Sequence, residues 1–436
     1  MKNKVPQPAP VAGDMDWFVQ ARFGMFIHWG TYAAAARHEW VKHNEEIPDG
    51  EYEKYFRHFN PDLFCPQDWA RMARDAGMKY MVITSKHHEG FCLWDTQYTD
   101  YKATNTPCGR DLLREVADAF RAEGLRVGFY YSLIDWHHPD FTIDPIHPMR
   151  NHPNAARLNE GRDMNRYREY MRNQVRELLT NFGDIDIIWF DFSYPTAEHK
   201  GLKGKGREDW HSEALLALAR ELQPGIIVDN RLDLPPEMAD IHTPEQFQPH
   251  GWVTVDGKPV YWETCQTFSG SWGYHRDEAT WKSPEQLIQM LVNTVSCGGN
   301  LLMNVGPTAR GTFDDRAVRS LHAYAEWMRL HARSIYGCTQ SAFEAPQDCR
   351  YTQNGNRLYL HVFAWPFRHL HLSGLAGKIE YAQLLNDASE IKVIEAPEDK
   401  PLPEWMKPGS VTLELPVIKP RVTVPVTRSL TKMSVL

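Results

Sequence analysis

The run Ile185-Asp186-Ile187-Ile188-Trp189-Phe190-Asp191 decides how the rest of the chain is read. It opens after Gly183, which ends a helical pattern, and it is apolar at nearly every position. A strand apolar on both faces belongs in a parallel sheet covered by helices on each side. Packing gives no reason for a carboxylate at its carboxyl end. In an α/β barrel that end is where catalytic groups project, which makes Asp191 a catalytic candidate.

Outward from this run, helical and strand patterns alternate from about Asp16 to Arg333. Pro66 starts a helix with Trp69, Met72 and Ala76 on one face, Gly77 stops it, and Tyr80–Thr84 follows as a strand. Leu112, Leu113, Val116 and Phe120 mark a second helix, stopped by Gly124 before the strand Val127–Tyr131. Met164, Tyr167, Met171, Val175, Leu178 and Phe182 form the helix that leads into Asp191. A further helix carrying Trp210, Leu215, Leu218 and Leu222 precedes Ile226–Val228. Ser283-Pro284-Glu285 starts another, which ends at Gly298-Gly299 before Leu301–Val305, and a last one spans about Asp314 to Ala332. With Phe23–His28 there are at least six strand candidates in βα alternation. The expected fold is α/β, a (β/α)8-type TIM barrel with room for irregularity and fewer than eight helices.

After about Gly337 the pattern changes. Leu358–Val362 and Val411–Leu415 read as strands, no long helix pattern survives, and prolines recur at 401, 403, 408, 416, 420 and 425. This predicts a C-terminal antiparallel β-sandwich. The expected boundaries are an N-terminal tail over 1–14, a barrel over 15–338 and the sandwich over 339–436.

Composition narrows the ligand. The 436 residues carry a net charge of −8, and no basic cluster interleaved with aromatics occurs, which argues against a nucleic-acid partner. The chain holds 15 Trp, 18 Tyr and 20 His, a surplus suited to a neutral polyhydroxylated ligand: aromatic faces pack on sugar C–H faces, and imidazoles bond hydroxyls without a fixed charge. The seven cysteines form no C-x-x-C pair, so neither a disulfide framework nor a structural zinc site is expected. No signal peptide or membrane-length apolar run is visible, and the plain expectation is a cytoplasmic protein with no membrane partner.

Polar residues gather at the strand ends. His28-Trp29 closes the first strand, and Lys86-His87-His88-Glu89-Gly90-Phe91 follows the second. Tyr130-Tyr131-Ser132 closes the third, with Asp135-Trp136-His137-His138 beyond it, and Arg231 follows Val228-Asp229-Asn230. One His could be a satisfied core residue. Five such strand ends are better explained by one pocket at the carboxyl face of the barrel.

The ordered motifs Phe23–Gly30, Glu39-Trp40-Val41, Lys86–Phe91, Trp189-Phe190-Asp191, Trp262-Glu263-Thr264-Cys265, Ser271-Trp272-Gly273-Tyr274 and Gly298–Pro307 resemble those of the α-L-fucosidases of glycoside hydrolase family 29. The resemblance covers roughly the first three quarters of the chain. It implies a catalytic barrel followed by a β-sandwich, and a retaining exo-hydrolase that removes terminal α-L-fucose from a small-molecule carbohydrate without a cofactor or metal. Carried over residue by residue, Asp191 matches the nucleophile. His28, His87 and His88 match the imidazoles that hold fucose hydroxyls, and Glu39 and Trp40 match a further hydroxyl contact and its aromatic neighbour. Tyr131, Trp189, Arg231 and Trp272 match positions that line the pocket. Phe192 departs from the pattern, since many members have Gly after the nucleophile, and this bears on leaving-group specificity.

Retention needs a second carboxyl as acid/base. Two compete: Glu245, on a loop past Arg231, and Glu263, read as closing a short strand. A group that exchanges acid and base roles and reaches a variable aglycone suits a loop, which favours Glu245. Two other readings remain. A metal-dependent barrel hydrolase could draw ligands from His28, His87, His88, Asp135, His137, His138 and Asp191, although the H-x-H and H-E-x-x-H spacings are absent. A non-catalytic sugar-binding protein would keep His28 and Trp40 but has no use for Asp191, Glu245 and Glu263.

Overall fold

The computed structural model describes residues 5–395 and 409–432. Seven parallel strands form one curled sheet: β1 (Phe23–Ile27), β2 (Tyr80–Lys86), β3 (Arg126–Ser132), β4 (Ile187–Asp191), β5 (Ile227–Val228), β6 (Glu263–Thr267) and β7 (Asn300–Val305). Their spatial order is β6-β7-β1-β2-β3-β4-β5. In register, Met25 lies beside Met81 and Met303 and Tyr130 beside Trp189, and the β2–β3 pairing shifts between Thr84 and Lys86.

Between β5 and β6 the ring is closed by an irregular segment instead of an eighth strand. Isolated parallel bridges join Asp229 to Ile241, His242 to Trp262 and Glu245 to Cys265. The amides of Asp240 and His242 donate to Val228 and Tyr261, and that of Gln246 donates to Cys265. Backbone pairing thus continues across the gap. Pro244 has no N–H to give, and Gln246 turns left-handed at φ 51°. The segment therefore lacks the regular strand pattern the sequence would need to reveal it.

Six long helices match the expected apolar faces: α1 (Pro66–Asp75), α2 (Leu112–Ala122), α3 (Met164–Asn181), α4 (Ser212–Leu222), α5 (Pro284–Ser296) and α6 (Asp315–His331). The helix expected through Trp210 and Leu222 is broken at His211, which takes φ 51° between Arg207–Trp210 and α4. At the start of α5, where the sequence places a helix start at Ser283-Pro284-Glu285, Ser283 accepts from the Gln286 amide and Gln286 reaches back to the Ser283 amide, a capping box. Among the described residues no helix is long and apolar enough to cross a membrane.

Strand alternation separates two cores. Met25, Ile83, Phe129, Phe190 and Met303 face outward under the helices. Phe26, Tyr80, Val82, Tyr130, Ile187, Trp189 and Leu302 fill the barrel, where a short N-terminal helix (Met15–Ala21) adds Met15 and Phe18 at one end. Gly24 is required there, because a Cβ would stand 2.5 Å from the Tyr80 ring.

The C-terminal part forms two antiparallel sheets. One has the order β8-β9-β14-β11, from Cys349–Asn354, Arg357–Val362, Val426–Thr431 and Ile379–Leu384. The other has β10 (His369–Leu372), β13 (Val411–Glu414) and β12 (Lys392–Glu395). Tyr351, Leu360, Leu372 and Leu413 share one buried cluster, so the sheets pack face to face as a sandwich. Trp327 of α6 donates its indole N–H to the Val424 carbonyl at 3.1 Å, tying the sandwich to the barrel. Pro401, Pro403 and Pro408 lie outside the described residues.

Candidate active site

The carboxyl ends of the barrel strands surround a cavity of about 410 Å³. Asp191, the last residue of β4, is in its wall and 7% exposed. The Tyr130 hydroxyl donates to its Oδ2 at 2.6 Å, and Arg231 Nη1 donates to its Oδ1 at 3.0 Å. Burial raises the Asp191 carboxyl above its usual value, and the Arg231 charge opposes that rise. The two donors supply the hydrogen bonds and the positive charge that an ionised nucleophile needs in a buried place.

Arg231 connects both carboxylates of the pocket. Its Nη2 lies 2.8 Å from Glu245 Oε2, its Nε donates to Thr243 Oγ1, and its guanidinium covers the Trp189 ring at 4.3 Å. Glu245 is held by this ion pair at the bridge to Cys265, and its side chain is 41% exposed. One guanidinium thus holds both carboxylates, Asp191 through Nη1 and Glu245 through Nη2.

Three imidazoles form the opposite wall. His28 Nδ1 is 2.7 Å from Asn304 Oδ1, and Asn304 Nδ2 donates to the Trp272 carbonyl at 2.6 Å. That second bond fixes the amide, so His28 donates from Nδ1 and presents Nε2 to the cavity. His88 Nδ1 is 2.7 Å from Ser132 Oγ, and Ser132 donates to the Ile134 carbonyl, so this imidazole too carries its proton on Nδ1. His88 Nε2 lies 3.5 Å from Asp191 Oδ2. Burial, reinforced by His87, pushes His28 and His88 well below the usual imidazole value and keeps them neutral. His87 stacks on Tyr130 at 5.7 Å. Aromatic faces complete the wall: Trp272 lies 5.1 Å from His28, Trp40 lies 5.0 Å from His88, and Phe192 lies 6.5 Å from Trp40.

The structure thus brings His28, Trp40, His87, His88, Trp189, Asp191, Arg231, Glu245 and Trp272 to one cavity, together with Phe26, Tyr130, Phe192 and Cys265. Three expected residues do not line it. Tyr131 points outward from the barrel, accepting from Lys86 Nζ at 3.1 Å and donating to Gln174 Oε1 at 2.8 Å, and Tyr130 takes the position in the pocket. Alternation along β3 decides this, since Tyr130 pairs with the inward Trp189 and Tyr131 with the outward Phe190. Glu39 is buried beside the cavity and accepts from the Gly273 amide at 2.8 Å, securing the loop that carries Trp272.

Glu263 opens β6 and does not close it. It pairs with Asn300 at the start of β7 and accepts a hydrogen bond from Tyr80 at the start of β2, which puts it at the amino end of the barrel. Burial raises its carboxyl to about 7. Phe26 and Cys265 have a readable signal after the fact: each lies two residues from a singled-out position, on the same strand face as His28 and Glu263.

A barrel with a buried carboxylate, a half-exposed partner carboxylate, neutral imidazoles and aromatic walls is that of a glycoside hydrolase acting on a neutral sugar. The comparisons specify the family. The family model for α-L-fucosidase matches residues 9–333. The plasma α-L-fucosidase of Homo sapiens is 31% identical over 354 residues, covering 73% of this chain and 68% of that protein. In structure the chain is similar to α-L-fucosidase isoenzyme 1 from Paenibacillus thiaminolyticus, with 46% identity, TM-score 0.87 and coverage of 96% and 98%. It is also similar to a family 29 α-L-fucosidase from Bacteroides thetaiotaomicron, with 29% identity, TM-score 0.82 and coverage of 99% and 97%. The chain belongs to the α-L-fucosidase family, glycoside hydrolase family 29.

Proposed function

We propose that this protein is a retaining exo-α-L-fucosidase in which Asp191 is the nucleophile and Glu245 the acid/base. The observation that carries the reading is Asp191 in the cavity wall with Tyr130 and Arg231 on its two oxygens. The Bacteroides relative has been trapped as a covalent intermediate with 2-fluoro-fucosyl fluoride, which supports double displacement here.

In the first step Asp191 attacks the anomeric carbon, the glycosidic bond breaks, and Glu245 gives its proton to the departing oxygen. In the second, Glu245 takes a proton from water, the water oxygen attacks the same carbon, and Asp191 leaves as the carboxylate. His28 and His88 accept hydroxyl protons through Nε2. Phe26, Trp189 and Trp272 offer the apolar faces that suit the methyl group of a deoxy sugar. The substrate is a small-molecule carbohydrate. We further propose that Phe192 narrows the side of the cavity next to the nucleophile and so shapes aglycone choice, since it stands against both Trp40 and His88.

An aryl α-L-fucoside tests the reading, assayed before and after exhaustive chelation. Equal hydrolysis in both is expected. Activity lost on chelation and restored by zinc or manganese would favour a metal-dependent hydrolase, and binding without turnover would favour a sugar-binding protein.

A further inference from the structure

The Lys86–Phe91 motif contains a buried group that the mechanism above does not use. Glu89 is 0% exposed and lines no part of the cavity. Its Oε1 is 3.5 Å from Thr31 Oγ1, and its Oε2 has no hydrogen-bond partner. An unpaired carboxylate oxygen in a dry interior is costly, so a neighbour should hold it. The atom that faces it is His87 Nδ1, 3.5 Å away, likewise buried and without another partner. The backbone leaves room for this carboxylate: a Cβ on Gly30 would stand 2.6 Å from Glu89 Oε1.

The neighbouring imidazoles give the pattern. His28 and His88 are each held from behind through Nδ1, by Asn304 and Ser132, and each leaves Nε2 for the ligand. His87 Nδ1 faces a carboxylate oxygen instead, at 3.5 Å. We propose that Glu89 is a positioning residue for His87: it accepts the Nδ1 proton, so that Nε2 meets a sugar hydroxyl as a hydrogen-bond acceptor polarised from behind. The identity of the sugar rests on the fucosidase reading, but the position of the proton does not.

Two readouts test this. In protein with ¹⁵N-labelled imidazoles, His87 (assigned by its loss in His87→Ala) should carry its proton on Nδ1, with Nε2 unprotonated. In Glu89→Gln that preference should be lost, because an amide can donate to Nδ1 as well as accept from it. Glu89→Gln should lower kcat/KM on an aryl α-L-fucoside on the order of tenfold to a hundredfold, the scale of one hydrogen bond to a charged group. In the His87→Ala background the same substitution should cost nothing more. A protonated Nε2 in the wild-type protein, an unchanged kcat/KM in Glu89→Gln, or an equal further loss in the His87→Ala background would each overturn the proposal. If the wild-type protein cleaved no fucoside, the functional reading would fail while the spectrum still decided the role of Glu89.

Discussion

Replacing Glu245 by Ala separates the two candidate acids by the shape of the kinetic defect. The Glu245 carboxylate pairs with Arg231, and with the Glu245 side chain 41% exposed that pair contributes at most about 1 kcal/mol to stability. The variant should therefore fold and melt almost as the parent does. Its kinetics should change far more. A positioned general acid contributes roughly 10² to 10⁴ in rate, so oligosaccharide or alkyl fucosides, whose leaving groups need a proton, should lose about that much. A dinitrophenyl fucoside departs without a proton, and its kcat/KM should be nearly unchanged. Its kcat should fall, because water is no longer activated for the second step. Added azide should then restore kcat and give a fucosyl azide with the anomeric configuration of the substrate, since it attacks the intermediate on Asp191. Steady-state kinetics across leaving groups, with product analysis, measures all of this. The reasoning is refuted if Glu245→Ala loses the same factor on every substrate, or if Glu263→Ala shows the leaving-group dependence instead.

Other outcomes follow from the same geometry. Burial places the Glu263 carboxyl at about 7 in the folded chain against 4.5 for the free group. The folded state thus binds this proton more tightly, and the resulting stability, about 3 kcal/mol, is complete below about pH 4.5 and lost as pH rises through 7. Denaturant melts across that range should show this decline in the parent and a flatter profile in Glu263→Gln. Tyr130→Phe removes a donor to Asp191, which raises that carboxyl further and should shift the acidic limb of kcat/KM upward, with a loss of about tenfold or more at the optimum. Tyr131→Phe should leave catalysis alone and instead destabilise the fold by about 1 to 3 kcal/mol, through Lys86 and Gln174, as chemical denaturation would read.

The barrel strands were legible because a strand covered on both faces must be apolar throughout, as Ile187–Phe190 and Leu301–Val305 are. The same property hid the phase of the pleat. In Val127-Gly128-Phe129-Tyr130-Tyr131 nothing local says which tyrosine faces inward, and only the pairing of Tyr130 with Trp189 decides it. Glu263 was misplaced for a related reason: Trp262-Glu263-Thr264-Cys265 begins its strand, and a short run marks an end as readily as a beginning. The closing segment from Ile241 to Glu245 gave no strand pattern, because isolated bridges replace a regular ladder there. The gathering of polar residues at one face was legible for a chemical reason. Asp191, Arg231 and the three histidines are residues that packing does not ask for at strand ends, so their types alone directed attention to one face.

The most direct test of the account is to find the atom that becomes fucosylated. The protein would be incubated with 2-fluoro-fucosyl fluoride, digested, and its peptides sequenced by mass spectrometry. The account predicts a single fluorofucosyl adduct on the carboxylate of Asp191, with activity lost in step with labelling and no adduct in Asp191→Gly. A label on Glu245, Glu263 or any other carboxylate, or turnover of aryl fucosides by Asp191→Gly at the parent's rate, would contradict it.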